Sequence, residues 1–350
     1  MSLDHSPFLK ACRREETPYT PIWLMRQAGR YMKVYREIRS RYTMLETVHQ
    51  PELAAEITLQ PIQAFDLDAA IIFSDILPPL AGMGLELEFI KQVGPRIHNP
   101  VQTERDVKAL QIRPARETMA GTLRAIELVQ AELTPRGIPL IGFAGAPFTL
   151  ASYAIEGGGS KTYLKTKSLM LQRPDLWHLL MEKLVAVQAE YLLAQAASGA
   201  SALQIFDSWV GTALNQQEFK AFVKPYNAKL INLIKVSGLP VINFCKGTGL
   251  YMREVTDCGG DVIGVDWHQQ LDKTWKEIGC QFGVQGNLDP AMLLAPWDEL
   301  KLQVDAILQQ AAGRPGHIFN LGHGLFPVTE EEQVRRLVDY VHEKTRKQRQ

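Results

Sequence analysis

The sequence has no H-E-x-x-H, no C-x-x-C and no comparable ligand grouping, and its eight histidines are scattered. Nothing in it therefore predicts a metal. Cysteine is scarce: Cys12, Cys245, Cys258 and Cys280 are the four present, too dispersed for a disulfide framework. A reducing, cytoplasmic setting is expected. Neither sign of charge dominates, since 38 basic residues face 38 acidic ones. That balance excludes a general polyanion binder, and with it nucleic acid as a partner. The opening Met-Ser-Leu-Asp-His-Ser-Pro has no apolar segment to serve as a secretory signal. The uncharged stretch 138–155 is interrupted by Pro139, Gly142, Gly145 and Pro147. It reads as a buried strand with a loop after it, not as a membrane span. The glycine fingerprint of dinucleotide folds is missing after the first apolar run. The triplet Gly157-Gly158-Gly159 fails the phosphate-loop spacing and fits a mobile loop better.

What is present suits a globular protein, with 46% hydrophobic and 22% charged residues over 350 positions. No linker or low-complexity tract divides it. One domain spanning 1–350 is expected, with a polar tail from about Lys344. Near the start, Pro21 to Met32 reads Pro-Ile-Trp-Leu-Met-Arg-Gln-Ala-Gly-Arg-Tyr-Met. A short apolar run gives way to Arg26 and Arg30, and Lys33, Arg36, Arg39 and Arg41 follow. If the chain turns helical after Arg26, the first two arginines share a face. Guanidinium forks of this kind receive carboxylates or phosphates; a solvated helix face is the plainer alternative.

Short apolar runs recur at 22–25, 69–73, 140–143, 202–206, 240–244, 262–265, 282–285 and 317–321. Each ends in a polar or glycine-containing turn. Such runs suit parallel strands buried on both faces. Between them lies helical periodicity, as in Leu176, Leu180, Leu184, Val187 and Tyr191 after Pro174. Thr329 to Glu332 reads as a capping box opening a last helix. Eight strands alternating with helices predict an α/β fold, a single (β/α)₈ TIM barrel. A doubly wound open sheet is the alternative. Alternation at Leu85 to Phe89, with a turn at Gly94-Pro95, predicts a hairpin inserted after the second strand.

A barrel gathers residues at the C-terminal strand ends into one mouth. Arg26, Asp75, Ser208, Lys246, Asp266, Asn287 and His323 would meet there. Asp75 among apolar neighbours is costly unless it is functional, paired or a cap. Asp207 and Ser208 could simply make a turn. His323, between Gly322 and Gly324, is either a ligand contact or a satisfied buried histidine. Lys246 could form a Schiff base or pair with a carboxylate. Residue chemistry alone reaches a cofactor-free reaction on an anionic substrate.

Five segments in order carry a resemblance beyond this. They are Pro21 to Met32, Phe73-Ser74-Asp75-Ile76-Leu77, Gly142 to Thr149, Ile205-Phe206-Asp207-Ser208-Trp209 and Asn320-Leu321-Gly322-His323-Gly324. The chain resembles the uroporphyrinogen decarboxylase family over essentially its whole length. That resemblance implies a (β/α)₈ homodimer with no metal or organic cofactor. It implies conversion of uroporphyrinogen III to coproporphyrinogen III, four acetates becoming methyls with loss of four CO₂, on the route to haem and chlorophyll. It implies substrate contacts at Arg26, Gln27, Ala28, Gly29, Arg30, Arg39, Asp75, Tyr153, Ser208 and His323. Asp75 is the implied acceptor for pyrrole N–H groups and transition-state stabiliser, with Arg26 and Tyr153 as further catalytic groups. Related zinc-dependent, corrinoid-linked methyltransferases carry a His-x-Cys pair and a later cysteine. Here the fifth run ends Asn243-Phe244-Cys245, and no cysteine follows Cys280.

Overall fold

The computed structural model describes residues 3–91 and 93–347. Seven of the apolar runs become a curled parallel sheet: β1 (Ala70–Ile71), β4 (Leu140–Gly145), β5 (Ala202–Asp207), β6 (Val241–Cys245), β7 (Val262–Gly264), β8 (Gly283–Gln285) and β9 (His317–Ile318), in that spatial order. Every residue of β4 is buried, as expected for a strand covered on both faces. Helices fill the connections. The longest, Pro174–Ala197, starts on its proline and buries twelve side chains, Trp177, Leu180 and Leu184 among them. Each large one contributes about 1.5–3 kcal/mol of apolar burial.

The run at 22–25 is not a strand. Only Ile22 forms a bridge, parallel to Phe319. Phe319 N–H donates to Pro21 O at 2.8 Å, and Asp68 N–H donates to Ile22 O at 2.9 Å. Residues 21–23 thus lie between the last strand and the first, an arrangement consistent with a TIM-like barrel. Ladder pairing stops there because side chains take the next two N–H groups. Leu24 N–H goes to Gln27 Oε1 at 3.0 Å, and Met25 N–H goes to Asn320 Oδ1 at 3.0 Å.

Inside the sheet a polar seam crosses an apolar core. Trp23 Nε1 donates to Gln285 at 2.9 Å, and Gln285 Nε2 donates to Gln204 at 3.3 Å, all three side chains being buried. Between β1 and β4, β2 (Leu87–Ile90) and β3 (Gly94–Ile97) form a separate antiparallel pair. β3 is tied to the helix Pro147–Glu156 and the glycines after it: Ile97 N–H meets Gly157 O at 2.9 Å, and Arg96 bridges Gly158. The last helix, Glu331–Thr345, has Glu330 as N-cap with no side-chain cap bond. The capping box expected from Thr329 does not form; the Thr329 hydroxyl is buried without a partner.

Candidate active site

The arginine segment after Trp23 is a built turn, not a helix; helix begins only at Lys33 and runs to Arg41. Arg26 itself sits in the left-handed region, φ +64°, at a cost of about 1–2 kcal/mol for a residue with a Cβ. Gln27 explains why the turn holds. Its side chain is fully buried, with Oε1 on Leu24 N–H and Nε2 on Ala69 O at 3.0 Å. Gln27 was expected among the binding residues, and its amide is instead taken up by the chain's own backbone. Gly29 is required where it stands, because a Cβ there would lie 2.7 Å from Arg26 O. Arg26 and Arg30 are exposed, while Ala28 and Gly29 are half-buried. Arg36 braces the turn by donating to Arg30 O and Tyr31 O at 3.0 and 2.6 Å. Arg39 lies half-buried on the helix and donates to Tyr42 O. The single helical face expected for Arg26 and Arg30 is therefore replaced by a strained turn that presents them.

Asp75 follows β1 and is half-buried, with Oδ1 accepting from Leu77 N–H at 2.9 Å. It is not the helix cap, since Leu77 takes that position before the helix Pro78–Gly82 with no side-chain cap bond, but it lies in the field of the arginines. Burial raises the Asp75 pKa, opposed by the backbone at Leu77, by the positive charge of Arg26, by the Ile76 N–H and by Arg30. Tyr153 lies on the helix Pro147–Glu156, its ring 3.9 Å from that of Trp209. Burial holds its phenol well above the ordinary range, and the charge of Asp75 adds to this while Arg26 opposes it. Tyr153 is therefore a neutral donor facing the same carboxylate. Ser208 sits half-buried just past β5.

His323 is half-buried beyond β9, with its ring stacked on Trp267 at 6.2 Å and 16°. Burial pushes its pKa down to about 4, helped by Arg26 and Lys246 and opposed by Asp266. The imidazole is neutral at pH 7. Its flanking glycines mark close approaches, as the sequence suggested. A Cβ on Gly324 would meet Arg26 Cδ at 2.3 Å, and one on Gly322 would meet Trp267 N at 2.2 Å. The charge of Arg26 thus bears on Asp75, Tyr153 and His323 alike, and that of Asp75 on Tyr153.

Two expected members of the mouth have other work. The Asp266 carboxylate, fully buried, accepts from Gly247 N–H at 2.6 Å and His268 N–H at 2.9 Å. Asn287 donates to Asp266 O and Gln269 O at 2.9 and 2.8 Å. Both organise loops. Lys246 makes no salt bridge among the described residues; its ammonium lies 5.0 Å from the Trp267 ring centre.

Asp207, left open in the sequence between a turn and a functional residue, is a residue the expected site did not include. It is fully buried at the end of β5. Thr149 Oγ1 donates to it at 2.7 Å and Asn227 Nδ2 at 3.2 Å. Burial raises its pKa to about 6, against those two bonds. Thr149 stands one helical turn before Tyr153, so the carboxyl ties Tyr153's helix to the strand end that carries Ser208 and Trp209. The signal available was Asp207 directly after a largely apolar run. Asn243, where the methyltransferase pattern needs histidine, spends its amide on Val255 O and Gly259 O at 3.2 and 3.0 Å. The Cys245 thiol is held protonated, first by burial and then by the charge of Asp207.

Comparison with known proteins bears on what this site serves. Residues 3–344 match the family model described as Uroporphyrinogen decarboxylase (URO-D). The uroporphyrinogen decarboxylase of Carboxydothermus hydrogenoformans is 51% identical over 336 residues, 96% of this chain and 95% of that one. That of Roseiflexus sp. is 53% identical over 346 residues, covering 97% and 99%. Among solved structures, a methyltransferase from Methanosarcina mazei superposes with a TM-score of 0.82 at 18% identity, over 98% of this chain and 99% of that one. At that identity the likeness extends to the fold alone. With a family match spanning nearly every described residue and half the positions identical to those in such relatives, the chain belongs to the uroporphyrinogen decarboxylase family.

Proposed function

We infer that this chain decarboxylates the four acetate side chains of uroporphyrinogen III, giving coproporphyrinogen III and four CO₂ in tetrapyrrole biosynthesis. The observation that carries it is one half-buried carboxylate, Asp75, within the field of Arg26 and Arg30 and facing the protonated Tyr153. Uroporphyrinogen has eight carboxylates around four inward pyrrole N–H groups. Its rim needs cations and neutral donors, here Arg26, Arg30, Arg39, Tyr153, Ser208 and His323, with the turn backbone at Gln27 to Gly29. Its centre needs an acceptor, and Asp75 takes that role.

Loss of CO₂ from an acetate leaves an electron pair on the carbon beside the pyrrole. Protonating the pyrrole ring carbon first makes a cation that accepts the pair as the C–C bond breaks. A second proton converts the exocyclic methylene to methyl, and the ring carbon then releases its own. The net uptake is one proton per CO₂. Asp75 stabilises the ring cation in a poorly solvated pocket, worth about 10²–10³ in rate for groups of this kind. The ring supplies the electron sink, so neither metal nor organic cofactor takes part; stoichiometric metal in the purified active protein would overturn that part.

We further propose a closed (β/α)₈ barrel carrying the β2–β3 hairpin as an insertion, one domain over the chain, working in the cytoplasm as a homodimer. Leu250, Phe326 and Val328, 95%, 40% and 71% exposed in loops after β6 and β9, give the site-bearing end an apolar rim suited to pairing. Light scattering tests the dimer. The reaction is tested by anaerobic incubation with uroporphyrinogen III and separation of products by carboxylate number. A four-carboxylate product is expected, and unchanged octacarboxylate would overturn the assignment.

A further inference from the structure

We propose that Lys246 is a substrate-carboxylate receptor on the side of the mouth opposite the arginine turn, setting affinity for the octacarboxylate rim. This rests on reading the mouth as the porphyrinogen site. Spatial order makes the first case. From residues 21–23 the circuit runs through β1, β4 and β5 to β6, and the other way through β9, β8 and β7 to β6. β6 is four steps away in both directions. Arg26 and Arg30 leave from the turn that follows residues 21–23, and Arg39 from the helix after it. Lys246 leaves from the end of β6. An anion ring held only from one side would tilt; a cation opposite fixes it.

The backbone at Lys246 is built to aim it. Its N–H donates to Asp207 O at 2.9 Å, and its carbonyl accepts from Gly211 N–H at 3.1 Å. No side chain fits between these loops, since a Cβ on Gly211 would lie 2.4 Å from Lys246 O. The half-buried side chain then runs to the face of Trp267, whose ring also packs against those of His268 and His323. The Lys246 ammonium thus has aromatic support but no salt-bridged acid among the described residues. Asp266, two positions before His268, is occupied by backbone N–H groups and the His268 ring at 3.0 Å. By contrast Lys224, behind the mouth, pairs with Glu254 and Asp257 at 2.7 Å each.

Arg26 and Lys246 together disfavour a proton on His323. Asp266, the one acid acting on that ring, is already engaged by backbone N–H groups, so the cations on the two sides of the imidazole leave a place that a substrate carboxylate completes. Lysine suits this position because its compact charge tolerates rim carboxylates whose orientation changes as acetates are lost.

Steady-state turnover of uroporphyrinogen by the full-length Lys246→Met, Lys246→Arg and Arg26→Met proteins tests this. Lys246→Met keeps the stem on Trp267 and should raise KM about tenfold with kcat within about twofold, the size of one charge-assisted contact. Lys246→Arg should restore KM. The His323 ring, followed by NMR titration, should titrate at higher pH in Lys246→Met, a change that mere loss of packing does not produce. An unchanged KM in Lys246→Met, with a raised KM in Arg26→Met, overturns the role of Lys246 alone. Unchanged KM in both overturns the reading of the mouth itself.

Discussion

The two ends of the sheet treat charge in opposite ways. At the end where strands begin, Asp68 precedes β1 and is buried with every oxygen engaged. His342 Nε2 meets Oδ2 at 2.7 Å, Ile22 N–H meets the same oxygen at 2.8 Å, and the Tyr19 hydroxyl meets Oδ1 at 3.0 Å. Burial draws the His342 pKa down, but Asp68, Asp66 and Asp339 outweigh it and leave it raised. At the end where strands finish, Arg26 and Lys246 lack acidic partners among the described residues, His323 is pushed towards neutrality, and Asp75 is only half-buried. The first cluster is closed and fastens the last helix beneath the sheet. The second is left incomplete, and in the function proposed above the substrate completes it. Charge density alone does not separate a structural site from a functional one; saturation does.

Substitutions at the two ends should therefore fail differently. The largest effect belongs to Asp68→Ala, which strips the partner from a buried His342 and from Ile22 N–H. Urea unfolding should show a loss of about 3–5 kcal/mol, with turnover per folded molecule nearly unchanged. A large loss of turnover with stability intact would erase the contrast between the ends.

Asp75→Ala should do the reverse. Product chromatography should show the rate down by about 10²–10³, with unfolding midpoint close to that of the parent. Full activity in this variant would remove Asp75 from the mechanism.

The smallest effect comes from Asp207, which sits between these extremes. It is buried like Asp68 but lies at the site end. Its folded pKa, about 6, is above the ordinary 3.8. A raised acid stabilises fully below its unfolded pKa and loses that contribution as pH rises through the folded value. Between pH 5 and 7.5 its share should fall by roughly 1–2 kcal/mol. Denaturation of Asp207→Asn at the two pH values should show a correspondingly flatter dependence. An identical pH dependence in both proteins would assign the buried charge elsewhere.

Much of this was legible from one-dimensional pattern. Seven of the eight apolar runs yield strands because segments rich in Val, Ile, Leu and Phe suit a two-sided burial that a parallel sheet provides. Gly322 and Gly324 advertised close approach, and Trp267 and Arg26 make it. The eighth run, 22–25, failed as a strand because Gln27 and Asn320 outcompeted the ladder for its N–H groups. Asn320 lies about three hundred positions away, and no local pattern announces that bond. For the same reason Arg26 is left-handed where spacing allowed a helix.

Composition and order by themselves determined the alternation of strands and helices, the anionic character of the substrate and the family. Those depend on short-range periodicity and on segments whose residues are chemically distinctive in themselves. Tertiary structure alone decided which charges are spent and which are free. Asp266 and Asn287 looked like Asp75 and His323 in the chain, each a polar residue after an apolar run. Only in three dimensions does Asp266 take backbone N–H groups on both its oxygens and Asn287 spend its amide on two carbonyls, while Asp75 and His323 lie in the field of Arg26. A buried polar group must be satisfied by whatever lies near it in space, and sequence separation carries no information about that neighbour.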